Sequence, residues 1–298
     1  MKFTILGSGT SHGVPVIGCG CAVCRSSDPH DNRMRCSAFV SEPKHVVIDT
    51  GPEFRMQALR QNIKSLDAVL ITHSHADHLN GLDDVRIFSH TKSVDPSHPE
   101  AKETGGKGLP VYANAVTIRD IHNRFDYIFM PVKEGGGKPK LDIQNVENFS
   151  ADSPLCIGGL SIVPIPLLHG SLTVTGYVLS CIHPDGTKHS IAYLTDCSFI
   201  SDESIETIKS CSGILEHAVI DGLRTEPHST HFSFKQALSV AERILPRHTW
   251  LTHITHNMSH EEIKKYVNES LSEFPSLADV VRCGGSAGPA YDGLVLEA

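Results

Sequence analysis

Residues 70–81, LITHSHADHLNG, constrain this chain more than any other stretch. An apolar, strand-like run, DAVLIT, ends at Thr72, and within the next six positions come His73, His75, Asp77 and His78. Imidazole nitrogen and carboxylate oxygen are donors that suit a borderline divalent cation. Side chains two apart on extended backbone point the same way, so His73 and His75 can share one ion. Asp77 and His78 lie just past the bend and face a second. A lone histidine is usually a satisfied core or surface residue, but four donors this close after a buried strand point to metal.

The rest of the chain alternates short apolar runs with helix-period segments. KFTIL, SAFVS, HVVIDT and DAVLIT read as strands, as do GLSIVPIPLL, LTVTGYVLSC, HSIAYLT and HAVIDG further on. PEFRMQALRQN, opened by Pro52, reads as a helix. SFKQALSVAERIL and SHEEIKKYVNESLSEF are the clearest helices, the second with a Ser-His-Glu-Glu start. Strand-rich halves with interspersed helices imply two sheets packed face to face and covered outside by helices. Two polar segments rich in Gly, Pro and Lys, 89–108 and 133–145, read as loop insertions. No fixed-period repeat and no linker divides the sequence, so residues 1–298 are expected to form a single domain.

Cysteine usage raises a separate question. GCGCAVC places Cys19, Cys21 and Cys24 within six residues, with no fourth cysteine nearby. A tetrahedral zinc needs four ligands. The nine cysteines are odd in number, and those outside the cluster are scattered, which argues against a disulfide framework. Met1-Lys2 runs directly into FTIL, which leaves no place for a signal peptide's apolar region. No apolar run approaches the roughly 18 residues of a membrane span. A reducing, cytoplasmic setting without membrane attachment is therefore expected. The net charge of −8 argues against an extended nucleic-acid surface. It leaves room for a small anionic substrate, because bound cations reverse the local field.

The run His-x-His-x-Asp-His after a strand resembles the metal-binding signature of the metallo-β-lactamase superfamily. That resemblance implies an α/β (α+β) fold, an αββα sandwich of two mixed sheets flanked by helices. Further donors stand at expected strand ends: His169 in IPLLHGS, Asp196 in YLTDCS and His253 in WLTHITH. The resemblance implies one ion on His73, His75 and His169 and another on Asp77, His78 and His253, with Asp196 bridging. Asp49 in VVIDTGPEF matches the acid that holds a ligand from behind. The two ions would be divalent, manganese, zinc or iron, and the ligand types do not choose among them.

The N-terminal GSGTSHGVPVIGCGCAVC resembles the PhnP-type cyclic phosphodiesterases within that superfamily. In that family three such cysteines and a distant histidine hold a structural zinc. THITHN offers two histidines, and the resemblance implies His253 for the active site and His256 as the fourth ligand to Cys19, Cys21 and Cys24. His231 in HSTHFSF matches the histidine that phosphodiesterases of the superfamily use to stabilise the phosphoryl group and protonate the leaving alkoxide. His228 competes for the role, and Arg86 is a candidate for a substrate phosphate or for a salt bridge. Histidines such as His12, His45, His122 and His189 lack partners at ligand spacing.

The implied function is hydrolysis of small cyclic or nucleotide-like phosphodiesters, phosphoribosyl 1,2-cyclic phosphate among them, by a hydroxide held between the ions. Three alternatives stay open: a ribonuclease Z-like processor of transfer RNA precursors, a lactone or thioester hydrolase of the same fold, and a non-enzymatic relative resembling the coenzyme PQQ biosynthesis protein. Homodimerisation is also open. The 89–108 segment is longer than the family pattern, which leaves substrate identity open.

Overall fold

The computed structural model describes residues 1–89, 108–130 and 138–298. Two sheets dominate it. β1 (Lys2–Gly7), β2 (Ser37–Glu42), β3 (Val46–Ile48), β4 (Ala68–Leu70), β5 (Leu109–Ala113), β6 (Leu141–Asn145) and β14 (Val295–Glu297) form the first, in the order β14-β1-β2-β3-β4-β5-β6. β7 (Leu155–Ile157), β8 (Leu160–His169), β9 (Leu172–Ile182), β10 (Lys188–Leu194), β11 (Ile214–Asp221), β12 (His248–Thr252) and β13 (Ser286–Pro289) form the second, in the order β13-β12-β11-β10-β9-β8-β7. Each sheet is mixed in the same way. From β14 to β3, and from β7 to β10, the pairings are antiparallel; from there to β6 and to β13 they are parallel.

Strand side chains alternate between two cores, as a period of two requires when both faces are covered. Val46, Ile48, Ala68 and Leu70 face the other sheet, where they meet Tyr177, Ile191 and Tyr193. Val47, Val69 and Ile71 face outward onto the helices α1 (Phe54–Arg60) and α4 (Ala115–Arg124), through Phe54, Ala58 and Ile121. The shorter helices α2 (Ala76–Leu79), α3 (Arg86–Ser89) and α5 (Asp126–Phe129) lie on the same side of the chain's first half. On the far side, Ala192, Leu194, Ala218 and Ile220 pack under α6 (Asp202–Ser212), α7 (Phe234–Ile244), α8 (His260–Ser270) and α9 (Pro275–Arg282). The result is the expected αββα sandwich.

The expected helices near 234 and 260 begin at capping boxes, with Ser233 and Ser259 as N-caps reciprocated by Gln236 and Glu262. One expectation is corrected. The 133–145 segment is not a loop throughout, because Leu141–Asn145 is strand β6, paired in parallel with β5. Its signal is two apolar residues, Leu141 and Ile143, that alternate onto the outer core beneath a Gly/Lys-rich approach. The 89–108 segment, from 90 to 107, and residues 131–137 lie outside the described residues. Among the described residues, no helix is long and apolar enough to cross a membrane.

Candidate metal centre

Strand ends of both sheets converge at one edge of the sandwich. Residues 73–78 follow β4, His169 closes β8, and Asp196 and His253 come just after β10 and β12. Three of the polar residues here, Asp49, Asp196 and His253, have φ of 62°, 54° and 61°. Non-glycine residues in this left-handed region cost about 1–3 kcal/mol each, and such strain gathers at functional sites. The turn is tight as well. A Cβ on Gly51 would stand 2.1 Å from the Asp77 carbonyl, and one on Gly81 2.1 Å from the Gly51 carbonyl, so both positions require glycine.

The buried Asp49 carboxylate organises the first donors. Oδ1 accepts from the Thr72 backbone N–H at 2.8 Å, and Oδ2 accepts from the Thr72 hydroxyl at 2.8 Å and from His78 Nδ1 at 2.6 Å. The Thr72 hydroxyl proton is thus committed, so at 3.0 Å its oxygen accepts from His73 Nδ1. The same logic holds for His169, whose Nδ1 donates to the Thr230 carbonyl at 2.7 Å. In all three rings the proton sits on Nδ1 and the Nε2 lone pair is left to face the centre. Beneath His73 and His75, the Ser74 hydroxyl donates to Asp120 at 2.5 Å and Arg124 donates to the Ser74 carbonyl.

The donors fall into two groups at ligand distance: His73, His75 and His169, and Asp77, His78, Asp196 and His253. These are the two sets implied by the resemblance. Asp196 also reaches toward the first group, with Oδ2 3.8 Å from His73 Nε2, and it stands near His169 and His231. A cation fits this arrangement. His73 Nε2, His78 Nε2 and both ring nitrogens of His253 are buried without hydrogen-bond partners. His78 Nε2 is 3.2 Å from Asp77 Oδ2 and 3.1 Å from Asp196 Oδ1. Those contacts are close in distance, and the groups converge on one point where a cation would meet all of them. Burial opposes a charge on His78, yet Asp196, Asp77 and Asp49 outweigh it and push its pKa well up. Burial likewise opposes the ionised form of Asp196, but His253, His78 and His73 hold its pKa well below the usual range. The site is built to hold positive charge.

His231 joins this cluster. Its ring centroid is 4.5 Å from that of His169 and 4.4 Å from that of His253, nearly parallel to the latter at 15°. Its Nδ1 bonds to Asp221 Oδ2 at 2.7 Å, and Asp221 also accepts from the Cys197 N–H at 2.8 Å. Burial lowers the His231 pKa and raises that of Asp221 well above normal. His228 is exposed and turned to Thr230. Asp221 was not singled out from sequence, although it ends a strand as Asp49 and Asp196 do. Arg86 lies in neither group. It lines a separate cleft with Asp83, Asp84 and Phe88.

Cys19, Cys21, Cys24 and His256 form a second, distinct cluster. Each sulfur is 3.4 Å from His256 Nδ1. Tetrahedral zinc with Zn–S of about 2.3 Å and Zn–N of about 2.0 Å separates sulfur from nitrogen by about 3.5 Å. The three equal spacings fit that cage. Without a cation the thiols work against one another: the Cys24 N–H and His256 draw Cys21 down to about 6, while burial and the neighbouring thiols push Cys24 up to about 11. His12 packs its ring edge-on to His256 at 5.6 Å but belongs to neither ligand cluster.

Comparison with known proteins shows the family. A protein described as octanoyltransferase from Porphyromonas gingivalis (strain ATCC BAA-308 / W83) is 36% identical over 260 residues, 86% of this chain and 46% of that protein. The chain spans less than half the length of the curated relatives it matches. A crystal structure described as a new diphosphatase from the PhnP family is 38% identical, with a TM-score of 0.76 over 100% of this chain and 97% of that one. Human short-form tRNase Z shares the fold at 13% identity, with a TM-score of 0.61 over 100% and 99% of the two chains. The model of the beta-lactamase superfamily domain matches residues 44–254, from before Asp49 to just beyond His253, and the chain belongs to the metallo-β-lactamase superfamily as a PhnP-like member.

Proposed function

We propose that this chain is a metal-dependent phosphodiesterase acting on small cyclic or nucleotide-like phosphodiesters. The observation that carries the reading is His231, held by Asp221 and set at ligand distance from His169, Asp196 and His253. Simple lactone or thioester opening needs no acid in that position, whereas a phosphodiester expels a poor alkoxide that needs a proton. The Nδ1 of His231 is committed to Asp221, so its other nitrogen, Nε2, is the one that carries a proton to the leaving oxygen. Asp221 keeps the ring oriented through its contact with Nδ1.

His73, His75 and His169 would hold one divalent cation, and Asp77, His78 and His253 the other, with Asp196 between them. Bound there, two such ions supply Lewis-acid polarisation of phosphoryl oxygens and an activated water. Cys19, Cys21, Cys24 and His256 would hold a structural zinc, because four protein ligands leave no open position. We infer further that residues 1–298 fold as one unit, since C-terminal β14 returns to pair with β1.

For acyl transfer, suggested by the name of the P. gingivalis relative, the described residues offer no activated thiol at the centre. Cys36 and Cys197, whose thiols feel the charge of Asp196, are fully buried. Burial pushes Cys36 to about 12 and Cys197 well above the ordinary thiol value. The net charge of −8 weighs against a transfer RNA substrate. The experiment is parallel hydrolysis of a chromogenic phosphodiester, a phosphomonoester and a lactone, with metal analysis of the same sample. Faster turnover of the lactone than of the diester would overturn the reading.

A further inference from the structure

The loop that delivers His231 also carries His228, and its closure fixes where that second ring stands. At the base of the loop the Leu223 N–H donates to the Phe232 carbonyl at 2.9 Å, and the Phe234 N–H donates to the Arg224 carbonyl at 2.9 Å. Higher up, Thr230 is clamped against a metal-centre residue. Its carbonyl accepts from His169 Nδ1 at 2.7 Å, and its methyl lies 3.0 Å from where a Cβ on Gly170 would stand. His228 leans on the same threonine, with its ring centroid 5.4 Å from that of His231 at an angle of 37°. The loop thus sets an exposed imidazole beside His231, on the open side of the centre.

Hydrogen bonding also fixes the tautomer of that imidazole. The Thr230 backbone N–H meets His228 Nδ1 at 3.3 Å, and the Thr230 hydroxyl meets it at 3.1 Å. A backbone N–H can only donate, so Nδ1 is an acceptor and the ring proton sits on Nε2. Partial burial, with His231 and Arg224 close by, lowers the His228 pKa below its ordinary value, in keeping with a neutral ring. Closing the turn through Thr230 accounts for Nδ1. It leaves Nε2–H with no partner among the described residues. Arg224 repeats the pattern next to it: its Nε is buried without an acceptor, and Glu226 stands 3.9 Å away.

We infer that His228 is a substrate-positioning residue, whose Nε2–H donates to an acceptor oxygen of the leaving group adjacent to the oxygen that His231 protonates. This rests on the phosphodiesterase reading above and adds a requirement to it, namely that the leaving group carries such an oxygen. Ring centroids 5.4 Å apart let two donors, each reaching about 3 Å, span neighbouring oxygens of one molecule. The two histidines of HSTH would then divide the leaving group between them, one for the proton and one for its placement. A histidine that only closed the turn would show no preference between leaving groups of equal size.

The test uses two methyl p-nitrophenyl phosphates that carry either a methoxy or a methyl group ortho to the scissile oxygen. The leaving phenols match in size and nearly in acidity, so they differ in one acceptor. The zinc-reconstituted protein should favour the methoxy ester by about 5-fold in KM, the worth of one neutral hydrogen bond, with a kcat ratio near one. His228→Asn keeps an acceptor for the Thr230 N–H but places no donor where Nε2 stands, so it should bring the KM ratio to about one. His228→Gln, whose amide nitrogen reaches the Nε2 position, should restore part of the preference. Calorimetry of ortho-methoxyphenyl phosphate against ortho-tolyl phosphate should give the same preference in Kd. Hydrolysis of neither ester would defeat the phosphodiesterase reading, and calorimetry would then still judge His228. Equal KM or equal Kd for the pair in the unmodified protein, or a preference that His228→Asn retains, would overturn the inference.

Discussion

His253 and His256 lie three residues apart in THITHN yet face different clusters, and separating them by substitution tests both. Through its Nδ1, His256 meets sulfurs from residues 232 to 237 positions away in sequence. A zinc there would tie Cys21 to His256 across 235 positions, as a covalent cross-link would. The chain-entropy relation for a closed loop of that length gives about 5 kcal/mol. At about 2–4 °C per kcal/mol for a large domain, His256→Ala should lower the melting temperature by about 10–20 °C. It should also release one zinc per chain, because the binding free energy of a structural zinc is folding free energy. His253→Ala should leave that zinc and most of the melting temperature in place and remove activity, since one ligand of the open centre is lost. Differential scanning fluorimetry and metal analysis by mass spectrometry, run on both variants after mild chelation, read the difference. If the two variants lost the same metal and the same stability, the division of THITHN between two sites would be wrong. A metal content never above one ion per chain after reconstitution would refute both sites together.

Further outcomes follow from the same geometry. His231→Ala should slow hydrolysis of alkyl diesters by about 10²–10⁴-fold with metal content unchanged; the loss should shrink for a nitrophenolate leaving group, and equal losses for both would instead indicate a role in binding. Thr72→Val removes the hydroxyl that links Asp49 to His73, so metal affinity of the centre should fall by about 10–100-fold in a competition titration while the cysteine cluster keeps its zinc. Stability should also decline in acid through His217, whose pKa burial lowers from 6.5 to about 4. The unfolded chain takes the proton as pH falls below 6.5 and the native chain does not until about 4, so the contribution is complete above 6.5 and lost across that window. The loss should be about 2–3 kcal/mol. Denaturant melts at pH 7 and pH 4.5 should show it, and His217→Gln, which retains an acceptor for Trp250 Nε1, should flatten it.

What the sequence made legible was the part whose physics is local. His73 to His78 follow a strand within one turn, so residue order alone brings those donors together. The alternation of Val46, Val47 and Ile48 between the inner and outer cores can be read the same way, because a strand's period of two does not depend on its neighbours. β6 escapes the local pattern because its two apolar residues, Leu141 and Ile143, stand beside Gly and Lys, and pairing with β5, a long-range contact, is what makes it a strand. The left-handed backbone at Asp49, Asp196 and His253 left no trace in residue type, since glycine, the usual marker, is absent there. Asp221 is the most instructive omission. As a letter it is one more acid after an apolar run, and its meaning comes from His231, ten residues on, folding back so that 2.7 Å separates the two groups. Such a pairing is set by the tertiary path of the 222–231 loop. A carboxylate held this deep, with its pKa raised by burial, would destabilise the fold unless its neighbours satisfied it. The Cys197 N–H and the His231 ring do so from one oxygen, and Oδ1 is buried without a partner. On the reading proposed above, that unsatisfied oxygen is a cost to the sheet that carries Asp221, offset by the orientation it gives His231.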